Sequence, residues 1–72
     1  MKKLPVLKSR EVIRALIKVG FQEFRQKGSH KILKREKLLV VVPSHPRDLK
    51  KGTIKNIIEH ANLTIEEFIK LL

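Results

Sequence analysis

The run Leu38-Leu39-Val40-Val41-Val42, closed by Pro43, is the longest unbroken apolar stretch of the chain. Five residues are too few for a buried helix and far too few to cross a bilayer. Three valines followed by a proline suit a strand instead. A strand needs hydrogen-bonded neighbours and a cover for its apolar face, so the remaining residues must supply both. The chain has 72 residues, room for one domain over 1–72. A chain of this size buries only about 60% of its unfolded surface, which leaves no space for a deep metabolite pocket. Any site is expected to be a shallow surface that engages a polymer.

The partners of that strand are legible on both sides of it. Ser9 reads as the N-cap of a helix over residues 10–19, with Val12, Ile13, Leu16 and Ile17 as its apolar stripe. Lys18 suits the negative C-terminal end of that helix and Gly20 stops it. Strand-like segments follow at residues 21–26 and 29–34, joined by a tight connection at Lys27-Gly28. Arg35-Glu36-Lys37 then turns into the apolar run, which reads as the central and best-buried strand. After the polar loop "PSHPRDLKK", a second helix begins near residues 51–53. It carries Ile54, Ile57, Ile58 and Ala61 at one-face spacing and is capped by Asn62. Thr64 and Glu67 form a capping box for a last short helix to about residue 71, with Leu63 placed to staple against Phe68. The lead-in, residues 2–8 with Pro5, is expected to be extended.

These elements define an α+β domain: helix, three-stranded antiparallel meander, helix, short C-terminal helix. The two main helices cover one face of the sheet, and the opposite face stays open. On the second strand, alternation sends His30, Ile32 and Lys34 one way and Ser29, Lys31 and Leu33 the other. Each set contains one branched apolar residue, so the pattern alone does not say which faces outward.

Lys plus Arg number 17 against 7 Asp plus Glu, a formal charge of +10. Such an excess predicts an anionic partner, and the periodic apolar residues exclude a merely disordered basic tail. A membrane partner is not expected, because "MKKLPVLKS" lacks the long apolar region of a leader and no spanning segment follows. With no cysteine, disulfides and thiolate catalysis are excluded. A cytoplasmic domain is the expectation.

No phosphate-binding glycine loop, useful carboxylate pair or HExxH motif is present, and the three histidines do not stand at metal-ligand spacing. No metal and no cofactor are expected. The histidines are the remaining acid–base candidates. His60, in the last turn of a helix, suits the helix dipole and reads as structural. His45, between Ser44 and Pro46, is either a solvated loop residue or an assistant at a sheet end. His30 stands at a strand start behind Gly28, which lets the backbone approach a ligand. Arg25, Lys27, Lys31 and Lys34 surround it in sequence. Spacing alone fits a solvated basic strand as well as a reactive histidine. Lys50, Lys51 and Lys55 add a second cationic group where the second main helix begins, a place where helices hold phosphates.

Four segments carry a resemblance. They are "LIKVGF" at residues 16–21, "RQKGSH" at 25–30, "VVPSH" at 41–45 and "LKKGTIKNII" at 49–58. Together they make the chain, from about Ser9 to Leu72, similar to HicA-type mRNA interferases, the toxin half of HicA–HicB toxin–antitoxin pairs. The specific part is Gly28-Ser29-His30 at this interval after Gly20-Phe21. The resemblance implies a double-stranded-RNA-binding-domain-like α-β-β-β-α fold and a type II toxin that cleaves mRNA without a metal. It implies the histidine of the Gly-Ser-His segment, His30, as the catalytic residue, read here as general acid/base. The family's Pro-x-His falls on Pro43 and His45, to which catalysis is not carried over, so His45 is an assistant at most. From the charge pattern itself, Arg25, Lys27, Gly28, Ser29, Lys31, Lys34, Lys50, Lys51 and Lys55 are the expected RNA phosphate contacts. The resemblance also implies a HicB-type antitoxin covering the basic face and His30. The chain departs from the family at "PRDLKK", where a glycine-rich or short polar stretch is usual, and that difference is expected to alter substrate contacts. The alternative reading is a non-catalytic RNA-binding module of the same fold.

Overall fold

Gly20 and Asn62 take left-handed backbone, with φ of 98° and 59°, and each closes a main helix in the same way. After α1 (Ser9–Lys18), the N–H of Gly20 donates to the carbonyl of Ile17 and that of Phe21 to Leu16. After α2 (Lys51–His60), Asn62 donates to Glu59 and Leu63 to Ile58. These paired bonds satisfy carbonyls left open at a helix end. They also turn Phe21 back over Leu16, and both are buried. Gly20 is where the sequence predicts the stop, because a left-handed residue there needs no Cβ.

The computed structural model describes residues 4–72. Three strands follow α1: β1 (Gln22–Lys27), β2 (His30–Arg35) and β3 (Leu38–Pro43). They form an antiparallel sheet in the order β1-β2-β3. Tight turns at Gly28-Ser29 and Glu36-Lys37 join them, with Gly28 at φ 59° and Glu36 at φ 53°. α2 completes the α-β-β-β-α arrangement and the short α3 (Ile65–Lys70) follows it. α1 and α2 pack against β3. The fully buried side chains are Phe21, Phe68, Leu16, Leu33, Ile54, Ile58, Val12, Val40 and Val42, contributed by every layer.

The apolar run is an edge strand, contrary to the sequence expectation that it would be central. A meander puts its middle strand in the middle, so β2 is central and β3 borders the sheet. Helices cover only one face of β3. Val40 and Val42 are buried beneath them, while Leu39 and Val41 are exposed on the other side. Five consecutive apolar residues therefore do not mean burial on both faces. β1 is the opposite extreme, exposed along all six residues.

Ser9 also differs from expectation. It lies inside α1, and Lys8 occupies the cap position, its N–H donating to Glu11 Oε1 at 3.0 Å. Ser9 is buried, and its hydroxyl donates to the carbonyl of Pro43 and accepts from the N–H of His45 at 3.4 Å. The hydroxyl is used across the fold, where it joins the start of α1 to the end of β3. The Thr64–Glu67 capping box forms as the sequence predicts: Thr64 N–H donates to Glu67 Oε1 at 2.9 Å, and Glu67 N–H to Thr64 Oγ1 at 3.1 Å. Of the predicted extended lead-in, residues 2 and 3 lie outside the described residues. Leu7 is buried and its carbonyl accepts from Leu49 N–H at 2.8 Å, which ties this segment to the loop before α2.

Candidate nucleic-acid interface

Burial resolves which way the second strand faces. Leu33 is fully buried, so its set turns toward the helices, and His30, Ile32 and Lys34 occupy the open face. His30 is the first residue of β2. It stands opposite Lys27 across the hairpin and opposite Pro43 on β3. Its side chain is exposed, and among the described residues the imidazole makes no hydrogen bond within the chain. Gly28 and Ser29 form the turn immediately before it. Gly28 is left-handed, and a Cβ placed there would meet nothing within 4 Å. A ligand therefore reaches this backbone unhindered, while the positive φ still favours glycine. The carbonyl of Ser29 accepts from Ser44 N–H, which holds the turn against the residue after β3.

A bulge decides where the β1 cations lie. Glu23 pairs with Leu33 and Arg25 with Ile32, so Phe24 is an extra residue that β2 does not match. Before the bulge Glu23 lies on the helix side; after it Arg25 and Lys27 share the open face with Ile32 and His30. Lys34 joins them, its Nζ 5.3 Å from the centre of the Phe24 ring. Arg25, Lys27 and Lys34 form no salt bridge among the described residues. Lys27 and Arg25 lie nearest His30 on this face, and Lys34 stands four residues further along β2, about 13 Å away.

Lys31 is separated from this group. It lies on the helix side, half-buried, with Nζ 2.8 Å from Glu23 Oε1. There it borders a groove with Arg10, Ile13, Arg14, Ile17 and Ser44. Neighbours in a strand point to opposite faces, so adjacency to His30 in sequence sends Lys31 away from it in space.

His45 is exposed in a second shallow groove with Pro43, Arg47, Lys50 and Thr53. Pro43 is the strand partner of His30, so this groove continues the histidine's end of the sheet toward α2. Lys50 precedes α2, whose first turn contains no acidic residue, and Lys51 and Lys55 are exposed on α2 outside the groove lining. Arg47 belongs with this group although sequence reasoning treated it only as part of a polar loop. Its signal was present in the cation-rich "PRDLKK". Phe24 is the second feature the sequence concealed, because strand periodicity predicts neither the bulge nor the exposed ring. His60 is exposed in the last turn of α2.

Among the described residues, no three His, Asp or Glu side chains converge on a point where a metal could be held. No described helix is long and apolar enough to cross a membrane. The chemistry on offer is that of one accessible imidazole on a cationic sheet face, with a second imidazole and helix-start cations one strand away.

No curated protein matches the chain. The family model for the HicA toxin of bacterial toxin–antitoxin systems matches residues 9–63, from Ser9 at the start of α1 to the Leu63 that follows α2. That span includes the Gly28-Ser29 turn, His30 and the groove around His45. The chain belongs to the HicA toxin family.

Proposed function

We propose that this toxin is a metal-independent endoribonuclease that cleaves mRNA, with His30 as general acid/base. The observation that carries the reading is the placement of His30: exposed, at the mouth of a hairpin, opposite Lys27 and on one face with Arg25 and Lys34. RNA contains its own nucleophile. A neutral imidazole takes the 2′-OH proton, the 2′-oxygen attacks the adjacent phosphorus, and the P–O5′ bond breaks. The 5′-oxygen leaves with a proton from the imidazolium or solvent. Arg25, Lys27 and Lys34 offset the charge that accumulates on the phosphorane, and the Gly28-Ser29 turn lets the backbone come close. His45, Lys50, Lys51 and Lys55 extend the phosphate-binding surface toward α2. Lys31, paired with Glu23 on the far face, is not part of this phosphate surface.

The products are a 2′,3′-cyclic phosphate and a 5′-OH. End-group analysis of cleaved RNA tests this directly, and 3′-OH with 5′-phosphate ends would rule the mechanism out. Activity should persist in a chelator.

A HicB-type antitoxin is expected to cover the open basic face and His30, inhibiting by occlusion. The attraction should weaken with salt, because exposed charges provide much of it. A complex that leaves His30 open to solvent is incompatible with this mode of inhibition.

The second reading, a non-catalytic RNA-binding module, draws on the lone state of His30, whose imidazole has no hydrogen-bonded second group among the described residues. The two readings separate on His30→Ala. An enzyme loses cleavage and growth inhibition while it still binds RNA; unchanged toxicity favours the binding module.

A further inference from the structure

The open sheet face has apolar side chains that the core does not use. Ile32 stands between Arg25 on β1 and Val41 on β3, and Lys34 between Gln22 and Leu39. Phe24, the extra residue of the bulge, lays its ring on the same face beside Lys34. Phe24, Leu39 and Val41 are 55%, 53% and 46% exposed. This strip runs directly to His30. Ile32 is two residue steps along β2 from His30, about 7 Å, and β1 lies about 5 Å to the side. The Phe24 ring is therefore on the order of 10 Å from the imidazole, a separation that neighbouring nucleotides of one strand can bridge.

We propose that single-stranded RNA crosses this open face with one base stacked on Phe24, beside the phosphate held at His30. The inference rests on the reading of this face as an RNA-cleaving site and adds the form of the substrate and the residue that seats its base. Aromatic rings on a sheet surface take unstacked bases, whereas a duplex keeps its bases inside and offers mainly backbone and grooves. The Phe24 ring already attracts a cation to its face, the Lys34 ammonium. An incoming base replaces that ammonium on the ring, and the lysine turns to the adjoining phosphate. Charge favours nucleic acid over a protein as the occupant. Arg25, Lys27, Lys34 and His30 border the strip; Glu23 and Glu36 line the groove beside Phe24 and Lys34, but Glu23 is paired with Lys31, so cations stay in excess. Apolar contacts within a cationic border complement a chain of flat bases on a phosphate backbone.

The chain contains no tryptophan or tyrosine, so Phe24→Trp introduces a single fluorophore at the predicted stacking position. In a His30→Ala background, which prevents cleavage, a short mixed-sequence RNA strand should quench the introduced tryptophan. Quenching should saturate in step with binding followed by anisotropy of labelled RNA. Inorganic polyphosphate should bind without quenching. Phe24→Ala, also in the His30→Ala background, should weaken RNA binding roughly five- to a hundredfold, the range for loss of one base–aromatic stack. Because Phe24 is exposed, the fold should survive both substitutions, and circular dichroism checks this.

RNA binding without quenching, together with undiminished binding by the alanine variant, overturns the stacking platform and leaves the RNA reading intact. Equal quenching by a duplex of the same sequence overturns the single-strand assignment, and equal quenching by polyphosphate overturns stacking. Emission that shifts to the blue with protein concentration alone means that a second copy covers the ring, which also overturns the proposal. Absence of any RNA binding in the anisotropy assay defeats both this inference and the function on which it rests.

Discussion

The two faces of the sheet are built from the same strands and treat their apolar side chains in opposite ways. On the helix side, Leu33, Val40 and Val42 are sealed beneath α1 and α2. On the open side, Ile32, Leu39 and Val41 alternate with them along β2 and β3 and remain uncovered or half-covered. The difference lies in the partners and not in the residues, since leucine and valine occur on both faces. One face stores stability and the other presents function. The charged side chains divide in the same way: Lys31 is neutralised by Glu23 on the sealed side, while Arg25, Lys27 and Lys34 on the open side form no ion pair among the described residues.

Substitutions that strike one face and spare the other test this division. The largest effect is expected from His30→Ala. It should reduce RNA cleavage by roughly a hundredfold to ten-thousandfold, the usual contribution of a general acid–base group, with an unchanged urea midpoint. Loss of stability in this variant would mean that the open face is also structural. Leu33→Ala, one strand step to the sealed side of Ile32, should destabilise the fold by about 2–5 kcal/mol in equilibrium urea unfolding. Ser9→Ala comes next. Removing its hydroxyl strands the Pro43 carbonyl at the joint between α1 and β3, at a cost of about 1–3 kcal/mol. Leu39→Ala, on the open side, should change stability by no more than about 0.5 kcal/mol. A Leu39→Ala cost that matched that of Leu33→Ala would end the comparison between faces.

The smallest effect concerns neither face and serves as a control. The Glu67 carboxyl is held below its ordinary range by the hydrogen bond from the Thr64 backbone N–H, with help from the Thr64 hydroxyl. A lowered folded-state pKa contributes stability above the ordinary carboxylate range, and that contribution is lost as pH falls through the folded value. Glu67→Gln should therefore show a slight deficit at neutral pH that disappears in acid. A deficit that grows on acidification would contradict the assignment.

Local chemistry explains which parts of the molecule could be read in advance. Gly20 and Asn62 end their helices, and Thr64 with Glu67 opens the last one, because each acts on backbone groups within a few residues. The stripe of Ile54, Ile57, Ile58 and Ala61 is buried for the same reason: one helix geometry determines one face. What escaped depends on distant partners. The position of β3 at the sheet edge follows from strand order, and its valine run is uniform on both faces, so nothing in it marks the exposed one. Ser9 looks like a cap in sequence, yet its hydroxyl is taken by Pro43, 34 residues away. The outward facing of His30 required knowledge that Leu33, and not Ile32, enters the core. Gly28-Ser29-His30 nevertheless put the histidine behind a turn, with the strand start one residue later than the expected residue 29, because a left-handed glycine and a strand start are local events.

The bare strand β1 has a consequence for motion. Among the described residues no helix packs extensively against it, all six of its residues are exposed, and its ladder to β2, with the Lys31–Glu23 ion pair, holds it. Free energies of local opening follow buried contact, so in amide hydrogen exchange β1 should lose protection well before β2, which Leu33 anchors in the core. Arg25 and Lys27 are thus mounted on the part of the sheet that yields most readily, and His30 on a part that does not. The cations can shift to follow an irregular backbone while the imidazole keeps its station.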